Sequence, residues 1–311
     1  MKRVSDFLGL ASTIVLFAYI IFNEARHYTR PSTVSDMDVA MPVITGERSP
    51  LPAIAFDLPD RVTFADEEMP LHIPDVRERL DKELQSNTYF HSNTIFLIKR
   101  ANRWLPQMEK ILREHNIPDD FKYLPLIESN LMNVISPAGA VGYWQILKSS
   151  GREYGLEIND QVDERYDPLK ATEAACRYLR KAYERFGNWT LVAASYNRGM
   201  NGLERAIENQ GERSYYDLFL NDETSRYVFR IVAIKEIVEN PRKYGFIIKP
   251  EQLYEPEPLK YIEVTESIDV VDFAKKHGTN YKSIKRHNPW LRDDKLTVRR
   301  GKVYSIAVPA D

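Results

Sequence analysis

"DPLKATEAACRYLRKAYERFG", residues 167–187, decides the fold class. Pro168 stands at a helix start and Gly187 closes the run, and every residue between them is compatible with an unbroken helix. Cys176, the only cysteine, lies inside it, which rules out an internal disulfide and reads as a small buried hydrophobe. Helical spacing recurs in "PDVRERLDKELQ" (74–85), "SNTIFLIKRANRWLPQMEKILREHN" (92–116, bent near Pro106), "IPDDFKYLPLIES" (117–129), "NWTLVAASYN" (188–197), "GLERAIENQ" (202–210) and "SRYVFRIVAIKEIVEN" (225–240). The connections are short and marked by Gly or Pro. Residues 75–246 therefore form one all-α domain of packed short helices.

Outward from this domain the character changes on both sides. "MKRVSDFLGLASTIVLFAYIIFNEARHY" places Lys2 and Arg3 before an apolar run from Phe7 to Phe22. That is the layout of an export signal, and without a small-x-small cleavage site it reads as an uncleaved membrane anchor over residues 1–23. A cleaved signal peptide is the second reading and a buried core helix the third. Residues 24–74 carry Pro31, Pro42, Pro50, Pro52, Pro59, Pro70 and Pro74 with little periodicity, the pattern of an extended tether. Beyond the helices, residues 247–259 are a proline- and acid-rich linker. In residues 260–311, "YIEVTES" and "KVYSIAVP" alternate as strands and flank two short helices, giving a small β-α-α-β module whose end strands can pair.

Composition narrows the function classes. The chain has 311 residues, 43% hydrophobic and 28% charged, with 43 basic against 45 acidic side chains, a net charge of −2. Such a balance gives no footprint for nucleic acid. Eighteen Tyr and thirteen Phe are a modest pointer to flat, ring-shaped ligands. No Cys/His cluster has metal-ligand spacing and no glycine-rich phosphate loop is present, so neither metal nor cofactor is implied.

Chemistry enters at "FKYLPLIESN" (121–130), where an apolar run ends in Glu128 and Ser129. A glutamate there ordinarily marks the point at which a helix reaches water. The alternative is a carboxyl held in an apolar wall, protonated near neutrality and able to donate. Two further segments bear on the choice: "SPAGAVGYWQI" (136–146) and "AASYNRG" (193–199). Alone, the first is a turn with core aromatics and the second a helix end. Together with Glu128 they suit cleavage of a glycosidic bond, which needs one acid with a raised pKa at the leaving oxygen. Ser129 can orient the acid, Gln145 and Asn197 offer amides to hydroxyl and N-acetyl groups, and the Tyr196 phenol can bond to the carboxyl. Tyr143 and Trp144 offer flat surfaces for sugar faces, with one of the two expected in the core.

The order "ES", "GAxGxWQ", Tyr-Asn-x-Gly, with "DERYDP" at 163–168, resembles the lytic transglycosylases related to goose-type lysozyme, of the membrane-bound lytic murein transglycosylase D type. The resemblance covers roughly residues 95–245 and implies a lysozyme-like helical catalytic domain. It implies Glu128 as sole acid and base, with Ser129, Gln145, Tyr196 and Asn197 positioning it or holding glycan. The substrate would be peptidoglycan, cut at the MurNAc-GlcNAc bond with 1,6-anhydromuramoyl ends. The alternatives are a goose-lysozyme-like hydrolase of the same bond and a non-catalytic peptidoglycan-binding scaffold. Asp163, Glu164 and Asp167 read as a loop that caps the next helix. The chain departs from the family at Ser195 and Arg198, commonly Ala, and at Tyr143, commonly Leu; Arg198 could meet an acidic group of the peptide stem. The C-terminal module resembles a LysM domain, with "TESID" where Gly-Asp-Thr is usual. A location on the periplasmic side of the cell envelope, tethered to the inner membrane, follows from these expectations.

Overall fold

Proline at the first turn starts the helices that frame the domain. The computed structural model describes residues 54–310. Within them α1 (Pro74–Tyr89) and α5 (Pro168–Phe186) begin on Pro, and α5 ends on Gly187 in the left-handed conformation. Between these two run α2 (His91–Glu114), α3 (Leu124–Ser129) and α4 (Lys148–Glu153). After α5 come α6 (Trp189–Arg198), α7 (Met200–Gln210) and α8 (Asp222–Glu239). Pro106 lies inside α2 without ending it. The apolar faces meet in one core, in which Val228, Ile231, Val232 and Ala233 of α8 are fully buried. That central helix is the platform against which the candidate site is built.

The chain is mostly helical, with small strands in the C-terminal module, as the sequence patterns indicate. In that module β3 (Leu259–Val264) pairs antiparallel with β6 (Tyr304–Pro309), with Ile262 opposite Ile306. Helices α9 (Val270–Lys276) and α10 (Tyr281–His287) lie between them. A second small antiparallel pair, β4 (Ile268–Asp269) with β5 (Lys295–Leu296), was not evident in the sequence.

The tether expectation fails for residues 54–74. Strands β1 (Thr63–Phe64) and β2 (Glu67–Glu68) form a hairpin turning at Ala65 and Asp66, both at positive φ. Val62, Phe64, Met69 and Leu71 are buried in the main core, with the Phe64 ring 5.0 Å from that of Phe121. Glu67 accepts from the Trp189 and Thr190 backbone amides at 2.6 and 2.8 Å, capping α6. Four apolar side chains on a short hairpin outweigh the extended bias of the surrounding prolines. The remainder of the expected tether and the expected anchor at 1–23 lie outside the described residues. Among the described residues no helix is long and apolar enough to cross a membrane.

The expected linker is strapped to α2. The Tyr254 amide donates to Lys99 O at 3.2 Å, Arg103 Nε donates to Glu255 O at 2.9 Å, and the Arg103 guanidinium lies 5.5 Å from the Tyr254 ring centre.

Candidate active site

Helix α3 is short for local reasons: Pro125 lies in its first turn, and Asn130 and Leu131 take positive φ at its end. Leu124, Pro125 and Leu126 are buried, so the helix is pinned into the core and delivers Glu128 at its last turn. Glu128 is half-buried. The Tyr227 hydroxyl, from α8, donates a short hydrogen bond to Glu128 Oε1. Burial is the dominant influence and raises the Glu128 pKa above the ordinary carboxylate range; the Tyr227 bond and the nearby Arg230 oppose it, and Glu223 reinforces it. Arg230 is held by a 2.7 Å bond to Ile127 O, one residue before the acid. Burial and then the Glu128 charge push the Tyr227 phenol well above its usual value, so it stays a donor.

Ser129 Oγ is buried and lies 2.8 Å from Tyr143 O and 3.1 Å from Pro125 O, tying the acid-bearing helix to the turn at 139–146. That turn needs Gly142: at φ +82° a Cβ would stand 2.0 Å from Arg165 O. Gln145, also at positive φ, donates to Gly142 O at 2.8 Å and Val134 O at 3.2 Å. The Tyr196 hydroxyl donates to Trp144 O at 2.7 Å rather than to the Glu128 carboxyl, so the phenol on the acid is Tyr227, not Tyr196. Asn197 Nδ2 donates to Glu223 Oε1 at 2.9 Å and its Oδ1 accepts from Thr224 Oγ1 at 2.7 Å, joining α6 to the start of α8. Glu128, Ser129, Gln145, Tyr196 and Asn197 thus lie in one frame of α3, turn, α6 and α8.

Of the two aromatics Tyr143 and Trp144, one was expected in the core, and the structure buries both. Trp144 is fully buried, donates to Thr172 Oγ1 at 2.8 Å, and is core. Tyr143 is also buried, its ring edge-on to Trp104 at 5.3 Å. Neither offers a face to a sugar. Arg198 is exposed and bonds to Gly202 O and Asn221 Oδ1. It lines a cleft of about 760 Å³ with Lys181, Arg185 and Arg205, adjoining a smaller cavity at Gln145 and Tyr196 through Tyr154 and Tyr178.

In the loop at 163–168, Asp167 accepts from the Leu169 and Lys170 amides, capping α5, and Asp163 forms a buried two-point pair with Arg165 at 2.7 and 2.9 Å. Among the described residues no group of three or more His, Cys, Asp or Glu is arranged to hold a metal ion.

A helical domain with an acid so framed matches a known class: residues 108–219 match the Transglycosylase SLT domain, and residues 260–311 the soluble lytic transglycosylase C-terminal LysM-like domain. The chain therefore carries a transglycosylase SLT domain followed by a LysM-like domain. It is homologous to membrane-bound lytic murein transglycosylase D of Escherichia coli, 28% identical over 246 residues, 76% of this chain and 53% of that protein, with the same figures in a second strain. The chain thus spans about half the length of the curated relatives it matches. The X-ray structure of an inactive mutant of the lytic transglycosylase Slt from Pseudomonas aeruginosa aligns with 49% of this chain and 26% of its own, at 17% identity and a TM-score of 0.35, too distant to carry weight.

Proposed function

We propose that this protein is a peptidoglycan lytic transglycosylase in which Glu128 serves as both acid and base. The protonated Glu128 carboxyl gives its proton to the glycosidic oxygen of a MurNAc-GlcNAc β-1,4 bond as the C1–O bond breaks. The resulting carboxylate takes the proton from the C6 hydroxyl of the same muramoyl residue while O6 bonds to C1. The products are a free GlcNAc 4-hydroxyl and a 1,6-anhydromuramoyl end, Glu128 is again protonated, and no water is consumed. The observation that carries this reading is the half-buried Glu128 carboxyl, raised by burial and held by Tyr227. An acid of that kind can remain protonated at the pH where it must donate. The SLT domain and the name of the E. coli homologue support the substrate and the reaction class.

Ser129, Gln145, Tyr196 and Asn197 act in this reading chiefly by fixing the acid and the turn opposite it. The LysM-like domain adds affinity for peptidoglycan. Residues 1–23 anchor the chain in the inner membrane, and the folded part works on the periplasmic side of the envelope. One observation favours a second reading: Glu223 is exposed and close enough to raise Glu128, so it could serve as base to a water molecule in a hydrolase. Mass spectrometry of muropeptides from purified sacculi separates the two. Anhydro ends are the expected product, whereas reducing ends indicate hydrolysis. Glu128→Gln is expected to abolish release with the fold intact; retained release overturns the assignment.

A further inference from the structure

The turn tied through Ser129 to the helix that carries Glu128 is moulded on one buried side chain, and the residue that pairs with that side chain is bonded to the C-terminal module. Arg165 Nη1 donates to Gly139 O and Ile146 O, both at 3.2 Å, at the two ends of the 139–146 turn. Its backbone carbonyl packs so closely on Gly142 that only glycine fits there. Between those points the turn presents Tyr143 O to Ser129 and Trp144 O to Tyr196. Arg165 is fixed in turn by Asp163, whose backbone amide donates to Trp290 O of the module at 2.8 Å.

The surrounding contact is a shared core. Val162 is buried with Val264, Val270, Leu291 and Leu296, all residues of the module, and forms a β-bridge with Leu291. Arg292 N donates to Gln161 O at 2.8 Å, Tyr304 donates to Glu157 Oε1 at 2.8 Å, and the Arg292 guanidinium lies 3.9 Å from the Tyr166 ring centre. A glycan reader swinging on a free linker has no use for a residue of the other domain in its own core. Here even the linker is strapped to α2.

We propose that the module is a fixed buttress of the active-site turn, acting through Val162 and Asp163 on Arg165, and that Arg165 is a positioning residue for the Glu128 site. The proposal rests on the transglycosylase reading for its effect on turnover, but not for its effect on the turn. Packing and backbone bonds leave Val162 one seat, and the planar Arg165 fork spans two carbonyls and a carboxylate that a lysine cannot span together. Displacing such a support moves the groups around the reacting bond, and a misplacement of about 1 Å can cost roughly 100-fold in rate.

The test uses the full chain with Val162→Asp, Arg165→Lys and the double variant. Three readouts are taken: amide hydrogen exchange over residues 139–146, kcat and KM for muropeptide release from sacculi, and co-pelleting with sacculi. Faster exchange in the turn is expected in both single variants, with kcat lowered roughly 10- to 100-fold and co-pelleting unchanged. The double variant is expected to be no worse than the more damaging single one, because both act along one path. Unchanged exchange and kcat in Val162→Asp overturns the proposal, as does lost co-pelleting with kcat intact, which is the signature of an independent glycan reader. Additive losses in the double variant overturn the path through Arg165. If Val162→Asp does not fold, Val162→Ala, which only trims the side chain buried among Val264, Val270, Leu291 and Leu296, takes its place in the single and double variants and is judged by the same outcomes. If the wild type releases nothing from sacculi, the transglycosylase reading falls and the exchange measurement still judges the buttress.

Discussion

Replacing Tyr227 by Phe removes a single hydroxyl from the Glu128 site, and its consequences can be worked out in sign and size. The phenol donates to Glu128 Oε1, and that bond favours the carboxylate form against the burial that raises the acid. A hydrogen bond to a charged group contributes about 1.5–3 kcal/mol. Glu128 is only half-buried, so water can take part of the phenol's place, and the lower end of that range applies. About 1.4 kcal/mol corresponds to one pH unit in an ionisation. The alkaline limb of kcat/KM, which reports the protonated acid in the free enzyme, is therefore expected to move up by about one pH unit. Stability follows the same sign. Because the folded pKa of Glu128 is raised, its protonated form contributes stability that is present at low pH and lost as pH rises through the folded value. The wild type recovers some of that loss through the phenol and Tyr227→Phe does not, so the gap in stability between them is expected to widen as pH rises. Initial rates of muropeptide release against pH, with thermal melts at the same pH values, measure both. A limb that stays in place or moves to lower pH refutes the coupling.

Glu223→Gln removes an exposed like charge that raises Glu128, so the alkaline limb is expected to move to lower pH, and by less at high salt because the charge is solvated; the same rate profile checks it. Gly142→Ala places a Cβ 2.0 Å from Arg165 O at φ +82°, and a melt is expected to show a loss of more than about 1 kcal/mol. Asp163→Ala leaves the buried Arg165 guanidinium without its carboxylate, and denaturant unfolding is expected to show a loss of about 3–5 kcal/mol.

The helices could be read in the sequence because their apolar residues recur with helical spacing and Pro or Gly marks their ends. The hairpin at 63–68 could not. Its turn residues, Ala65 and Asp66, take positive φ without the Asn-Gly or Gly-Gly pair that announces such turns, and prolines on both sides suggest an open chain. Glu128 was visible as an incongruity, a charge closing an apolar run. Tyr227 was not. Within "SRYVFRIVAIKEIVEN" it shares the spacing of its core neighbours, and only the packing of α8 beneath α3 turns it toward a carboxyl 99 residues earlier. The same blindness to long-range contact left one of Tyr143 and Trp144 to be read as a ligand surface when both are core. It also hid the second task of the loop at 163–168. The capping by Asp167 is local and legible; the grip on Trp290 joins residues far apart in the chain.

The hydrogen bonds around Glu128 also bear on how such a site can act. Ser129 bonds to two backbone carbonyls, Gln145 donates to two more, Tyr196 donates to a third position on the same turn, and both ends of the Asn197 amide are engaged by α8. Groups so committed are poor choices for adapting to a ligand and good ones for fixing the helix and turn beside the carboxyl, which itself accepts from Tyr227. Charge that develops during bond cleavage is best met by dipoles already in place, since reorganising them would add to the barrier. The frame of α3, turn, α6 and α8 supplies that order without any of the four side chains leaving its protein partner. A glycan at Glu128 would then be recognised largely by other groups, and changing Ser129 or Tyr196 should disturb the position of the acid before it disturbs affinity for the strand.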